Sequence, residues 1–131
     1  APLLFICDGQ LSPGERIVRL GNQRIMQSLF GGFDIASFPC LGFDDDREMA
    51  RIAPRSIVKL AREAMASDAE ALFVSCTALR AAIAVPEMER ALGRPVVTSN
   101  LATAWNCLRL CGDAAARPEA GRLMTLPLGQ G

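Results

Sequence analysis

The chain has 131 residues, half of them hydrophobic, and its fourteen basic and fourteen acidic residues give a formal net charge of zero. That length suits one ordinary domain with its own core. No basic block or aromatic-interleaved patch is present, which argues against nucleic acid as a partner, and no apolar stretch approaches the roughly 18 residues of a membrane span.

The chain order begins with an apolar run, Ala1 to Cys7, which lacks a basic leader and is too brief for a secretory signal. Residues 9–14 are turn-rich, and residues 17–30 could form a helix ending at Gly31-Gly32. Residues 32–38 read as a strand ending at Pro39, followed by a polar loop around Asp44, Asp45, Asp46 and Arg47. Pro54 suits a first helical turn, and Ile57, Leu60, Ala61, Ala64 and Met65 recur at helical spacing. Ala71 to Val74 is a short apolar run bounded by the polar tripeptide Ser75-Cys76-Thr77, the pattern of a buried parallel strand.

Val85 to Leu92 is helical in pattern, with Pro86 in its first turn and Gly93 at its stop. Residues 95–98 form the next strand. Ser99 or Asn100 can cap the following helix, in which Leu101, Ala104, Trp105, Leu108 and Cys111 share a face before Gly112. Asp113 to Gly121 reads as a loop, and Leu123 to Leu126 as a last short strand before a frayed tail. Strands alternating with helices predict βαβ units, hence an α/β domain over residues 1–131 with a central parallel sheet and right-handed crossovers.

Five cysteines, Cys7, Cys40, Cys76, Cys107 and Cys111, form no CxxC pair, and the chain has neither histidine nor tyrosine. The usual zinc combinations are therefore out of reach, no metal site is expected, and the thiols read as reduced groups of a cytoplasmic protein. A Ser-His-Asp or Cys-His device cannot be built from this chain alone. Acid–base chemistry falls to carboxylates, thiols or the single lysine, Lys59.

Among these groups Cys76 is best placed. It follows a strand at the carboxyl edge of the sheet, where ligands bind in open α/β folds. A helix beginning just after it would favour thiolate through the helix dipole. The bland alternative is a small buried hydrophobe. Ser99 and Asn100 would lie on the same edge, either binding a carboxylate or capping a helix. The three aspartates would border that cleft or form a solvated loop, and Arg47 and Arg80 could pair with an acidic substrate or be ordinary surface arginines. Core packing is the expectation for Cys107 and Cys111.

Taken together, residues 42–52 (Gly42-Phe43-Asp44-Asp45-Asp46-Arg47 onward), residues 73–80 (Phe73-Val74-Ser75-Cys76-Thr77-Ala78-Leu79-Arg80) and residues 93–100 (Gly93-Arg94-Pro95-Val96-Val97-Thr98-Ser99-Asn100), with Ala104-Trp105, resemble the aspartate/glutamate racemase superfamily. The resemblance is to its branch of maleate cis-trans isomerases, arylmalonate decarboxylases and ectoine-utilisation proteins. It runs from about Asn22 to Leu126, includes Gly121-Arg122-Leu123 near the end, and leaves residues 1–20 poorly matched.

The resemblance implies a flavodoxin-like three-layer domain, one half of a pseudo-symmetric two-domain fold, working without cofactor or metal. It implies that Cys76 is the cysteine of the C-terminal half and exchanges a proton at a carbon next to a carboxylate. Ser75 and Thr77 would help hold that carboxylate, with Ser99, Asn100 and Asp45 completing the substrate contacts. The isomerases carry an asparagine near Asp45, and an aspartate there would repel a dicarboxylate unless protonated or turned away. The substrate would be a small carboxylic acid. A planar intermediate needs groups on both faces, so a homo-oligomer or an N-terminal half is the expected partner. A non-catalytic flavodoxin-like module that binds a carboxylate, or only packs against a partner, is the competing reading.

Overall fold

The computed structural model describes residues 2–6, 34–37, 41, 43, 45–65 and 68–129. Cys7, Cys40, Asp44, the turn-rich stretch 9–14 and the helix expected at 17–30 lie outside the described residues. Four strands, β1 (Pro2–Ile6), β2 (Asp34–Ser37), β3 (Ala71–Val74) and β4 (Val96–Thr98), form one sheet in the order β2-β1-β3-β4. All three pairings are parallel. The strands expected from sequence are β2, β3 and β4, and β1 joins them as a further strand between β2 and β3.

The helices follow from the strand order. The chain passes from β2 over β1 to β3 through the single turn α1 (Asp46–Met49) and then α2 (Pro54–Ala64). It passes from β3 to β4 through a 3-10 turn (Ala82–Ala84) and α3 (Val85–Leu92). Both steps move the same way along the sheet, so right-handed crossovers put α2 and α3 on one face, and the two helices pack against each other. In α2, Ile57, Val58 and Ala61 are buried, whereas Arg55, Lys59, Arg62 and Glu63 face solvent. From β3, Leu72 and Val74 enter the same core as Val85 and Met88 of α3. Gly93 ends α3 in the left-handed conformation, φ 66°, with its N–H on the Glu89 carbonyl. A residue without Cβ adopts that conformation at no steric cost.

The open edge of the sheet is closed by a carboxylate. Leu72 N–H donates to Pro95 O at 3.0 Å, so in a parallel ladder the Val96 N–H points away from β3, toward the edge. Glu89 of α3, only 8 % exposed, accepts that N–H on Oε1 at 3.1 Å. Its Oε2 accepts the Arg122 N–H at 3.0 Å. One buried side chain thus occupies the place a fifth strand would take and ties the C-terminal segment to β4. The approach leaves no room for a side chain at Gly121. A Cβ there would stand 2.6 Å from Val85 Cγ1, at a φ of 114°.

After β4 comes α4 (Ser99–Leu110), then two 3-10 turns, Pro118–Ala120 and Arg122–Thr125. The second turn stands where a last strand was expected. Its Met124 is buried, and its backbone is held by side chains rather than by a neighbouring strand. Arg109, 8 % exposed, donates from Nε to Leu126 O at 2.9 Å and from a terminal nitrogen to Met124 O at 2.7 Å. The same guanidinium reaches Asp113 O at 2.7 Å and Ala115 O at 3.2 Å. Trp105 Nε1 adds a bond to Leu126 O at 2.9 Å.

The expected stripe of α4 is kept only in part. Leu101 is buried and Trp105 and Leu108 are half-buried, but Ala104, Cys107 and Cys111 are exposed. The core expectation for Cys107 and Cys111 is corrected by Arg109, whose guanidinium takes the inward direction because four carbonyls there need donors.

Because a planar five-donor group serves four acceptors, neither loss nor shortening of Arg109 is expected to be neutral. Arg109→Ala should lower stability by about 3 kcal/mol, and Arg109→Lys should recover less than half of that. Urea midpoints of the three proteins check this. Equal midpoints for Lys and Arg would contradict it.

Candidate functional site

The strand order places a topological switch between β1 and β3, since the chain leaves β1 in one direction along the sheet and β3 in the other. Crevices at the carboxyl ends of strands around such a switch are where open α/β sheets bind ligands. β3 ends at Val74, and Ser75, Cys76 and Thr77 follow it there. Register then brings β4 alongside, with Val74 opposite Thr98, so the residues after each strand meet.

That meeting is visible in two hydrogen bonds. The Cys76 backbone N–H donates to Ser99 Oγ over a long 3.4 Å, and Asn100 Nδ2 donates to Thr77 O at 2.9 Å. Cys76 is half-buried and packs on the core. Its φ of 155° makes it the one non-glycine residue with positive φ among the described residues. Backbone in that sparsely populated region costs on the order of 1–3 kcal/mol and is kept where the surroundings over-determine it. Here the surroundings are the strand before it, the Ser99 hydroxyl on its amide and the Asn100 amide one residue on. The Ser75 and Thr77 hydroxyls make no hydrogen bond to another described residue.

Two expectations about helix ends need correction. No helix begins at Cys76. The chain turns through residues 75–81 before Ala82–Ala84, and α3 starts at Val85. Pro86 accounts for this, because a proline is accommodated in the first helical turn and not further in. The helix terminus that Cys76 does touch is that of α4, in which Ser99 and Asn100 are the first two residues. Neither caps it. Thr98 is the cap, its Oγ1 accepting the Leu101 N–H at 3.1 Å, which frees the Ser99 hydroxyl to face Cys76 and the Asn100 amide to face Thr77. Thr103 Oγ1 further donates to Ser99 O at 2.9 Å.

Asp45 heads α1, beyond the carboxyl end of β2. That strand is separated from β3 by β1, roughly 10 Å at two strand spacings. Asp45 is itself an N-cap, its Oδ1 accepting the Arg47 N–H at 2.8 Å. The Arg47 Nε lies 3.2 Å from the same oxygen. The Arg47 backbone amide, followed by its guanidinium, holds the Asp45 carboxyl below the usual value of 3.8. The carboxylate is therefore ionised and turned into its own cap. Arg47 and Arg80 are both exposed, and Arg47 is engaged by Asp45.

Glu89 and Arg109, which set the position of β4 and of the segment behind α4, were not anticipated as structural anchors. A charged residue amid the apolar positions Met88 and Leu92, or Trp105 and Leu108, was the available signal for each. Among the described residues no group of three or more metal-ligating side chains comes together, and no helix is long and apolar enough to cross a membrane.

Fold and site define a flavodoxin-like α/β chain with a cysteine turn at its switch point, joined to the start of the helix after the neighbouring strand. A family model described as arylmalonate decarboxylase matches residues 21–124, and the chain belongs to that family. It is 42 % identical over 86 residues to the arylmalonate decarboxylase of Bordetella bronchiseptica, covering 63 % of this chain and 36 % of that protein. It is 32 % identical over 94 residues to the maleate isomerase of Nocardia farcinica, covering 71 % of this chain and 38 % of that one. Among solved structures, arylmalonate decarboxylase superposes with a TM-score of 0.68 at 29 % identity, covering 93 % of this chain and 52 % of its own. The Nocardia farcinica maleate cis-trans isomerase bound to Tris superposes with a TM-score of 0.77 at 25 % identity, covering 95 % and 49 %. The chain thus spans about half the length of the solved relatives and little more than a third of the curated ones.

The capped state of Asp45 is open to a direct check. Its carboxyl, followed by NMR, should titrate below 3.8. In Arg47→Ala the midpoint should rise only part of the way, because the capping amide remains. A full return to 3.8 would mean that the guanidinium alone sets it.

Proposed function

We propose that this chain carries the cysteine half-site of a cofactor-independent isomerase or decarboxylase of small carboxylic acids, with Cys76 as the group that exchanges a proton at the carbon next to a carboxylate. The observation that carries the reading is the Cys76–Ser99 junction, a strained thiol-bearing turn held at the carboxyl ends of β3 and β4 beside the switch point. Family membership supports the reaction class.

In the decarboxylase form of the reaction, the bond from the central carbon to one carboxyl group breaks, carbon dioxide leaves, and the electron pair is held as an enediolate on the remaining carboxylate. The Cys76 S–H donates its proton to that carbon, and the resulting thiolate regains a proton from water. The Ser75 and Thr77 hydroxyls and the first residues of α4, Ser99 and Asn100, would hold the remaining carboxylate. Asp45 would stand at the rim with its charge countered by Arg47. An arylmalonate is the first substrate to try, since identity is higher to the decarboxylase than to the isomerase.

The opposite face of a planar intermediate calls for a second body. We assign that role to a second copy of the chain or to an N-terminal half. A site that depends on a reduced thiol also suits the cytoplasm.

Exposure of Cys107 and Cys111 means that simple alkylation cannot single out Cys76, so protection by ligand is the informative test. Phenylmalonate should slow iodoacetamide labelling of Cys76, read by peptide mass, while leaving Cys107 and Cys111 unaffected. Wherever turnover is measurable, Cys76→Ala should lower it at least about 100-fold, the lower range of a general acid's contribution, with the fold intact. Unchanged Cys76 labelling in the presence of ligand would contradict the assignment.

A further inference from the structure

The last turn of α4 carries two thiols that proton transfer at Cys76 does not use. Cys107 and Cys111 are both free and exposed. The Cys111 N–H donates to Cys107 O at 3.0 Å, so the helical step between them is intact and both side chains leave one face. Immediately beyond, the helix is closed. Gly112, with a φ of 84°, donates to Arg109 O at 3.1 Å, and Asp113 donates to Leu108 O at 3.0 Å. These are the two bonds of a Schellman ending. From the buried side, the Arg109 guanidinium holds Asp113 O at 2.7 Å. The turn bearing the thiols is pinned at its end and from beneath.

Spacing decides what such a pair can do. Cβ atoms one helical turn apart stand about 5–6 Å from each other, whereas a disulfide requires about 3.5–4.5 Å. The pair cannot close on itself without unwinding the turn. A single thiophilic atom bonded to both sulfurs spans the longer gap. Further ligands are not at hand, because no group of three metal-ligating side chains exists among the described residues. Among the described residues the pair lacks the further ligands of a four-coordinate zinc site, and a centre satisfied by two sulfurs fits. The other exposed residues of the helix around them, Thr103, Ala104, Asn106 and Leu110, are uncharged.

We propose that Cys107 and Cys111 form a preorganised dithiol chelate for trivalent arsenicals and centres of the same two-sulfur chemistry. With an arylarsine oxide, the arsenic–oxygen bond gives way to two arsenic–sulfur bonds. Both thiol protons leave with the oxygen as water, and arsenic stays trivalent throughout.

The test is titration of phenylarsine oxide onto the phosphine-reduced chain, followed by intact mass and peptide mapping. The expected result is a one-to-one adduct bridging Cys107 and Cys111. Affinity should fall at least about 100-fold in Cys107→Ser and in Cys111→Ser, the order of gain a second tethered ligand provides. Both positions are exposed, so circular dichroism should show folded variants, and either one alone suffices for the comparison. Parent-like affinity in the single variants, an adduct mapped to another pair of cysteines, or a ready intrachain Cys107–Cys111 disulfide under mild oxidant would each overturn the proposal.

Discussion

The parallel pairing of β3 with β4 is the constraint on which the rest of the molecule depends. In a parallel pair both strands end at the same edge, so whatever follows them is delivered to one place. Here that delivery is fine enough for the Ser99 hydroxyl to meet the Cys76 amide and for Asn100 to meet the Thr77 carbonyl. A slip of one residue in this register would turn Val96 and Thr98 away from the core and carry Ser99 off the Cys76 turn. The junction is therefore a consequence of strand register more than of the two hydrogen bonds themselves, one of which is long.

What fixes the register lies behind the site. Glu89 takes the outward amide of β4 and the Arg122 amide together, and Arg109 gathers four carbonyls of the C-terminal segment. Both are buried ionisable groups hydrogen-bonded to backbone, the condition under which such groups are tolerated inside a protein. They also explain how a four-stranded sheet with a three-residue edge strand avoids offering that edge to another chain.

Much of this was legible in the residues. The apolar run Ala71–Val74 between polar neighbours gave β3 its bounds, and Pro86 with Gly93 gave α3 both its ends, because those two residues restrict backbone geometry directly. Placement of Cys76, Ser99 and Asn100 on one edge followed from alternation of strands and helices. Less legible were features decided by tertiary partners. Ser99, Asn100 and Thr98 are all acceptable caps by type, and only the position of Cys76 shows which hydroxyl is free. Periodicity assigned Cys111 to the apolar stripe of α4, yet the carbonyls of residues 113–126 drew Arg109 inward instead. Leu123 to Leu126 has strand composition, but Glu89 already occupies the edge it would join. β1 lies within the apolar run Ala1 to Cys7, which was not assigned as a strand, and its central place in the sheet was not readable, since pairing between distant segments leaves no local signal.

The central claim is that a small carboxylate is received where the Cys76 turn meets the start of α4. The most direct measurement is an amide NMR titration of the chain with phenylacetate, the acid left when phenylmalonate loses carbon dioxide. The account predicts shifts concentrated at residues 75–80 and 98–101. Shifts confined to residues 95–97 and 122–126, with residues 75–80 silent, would contradict it.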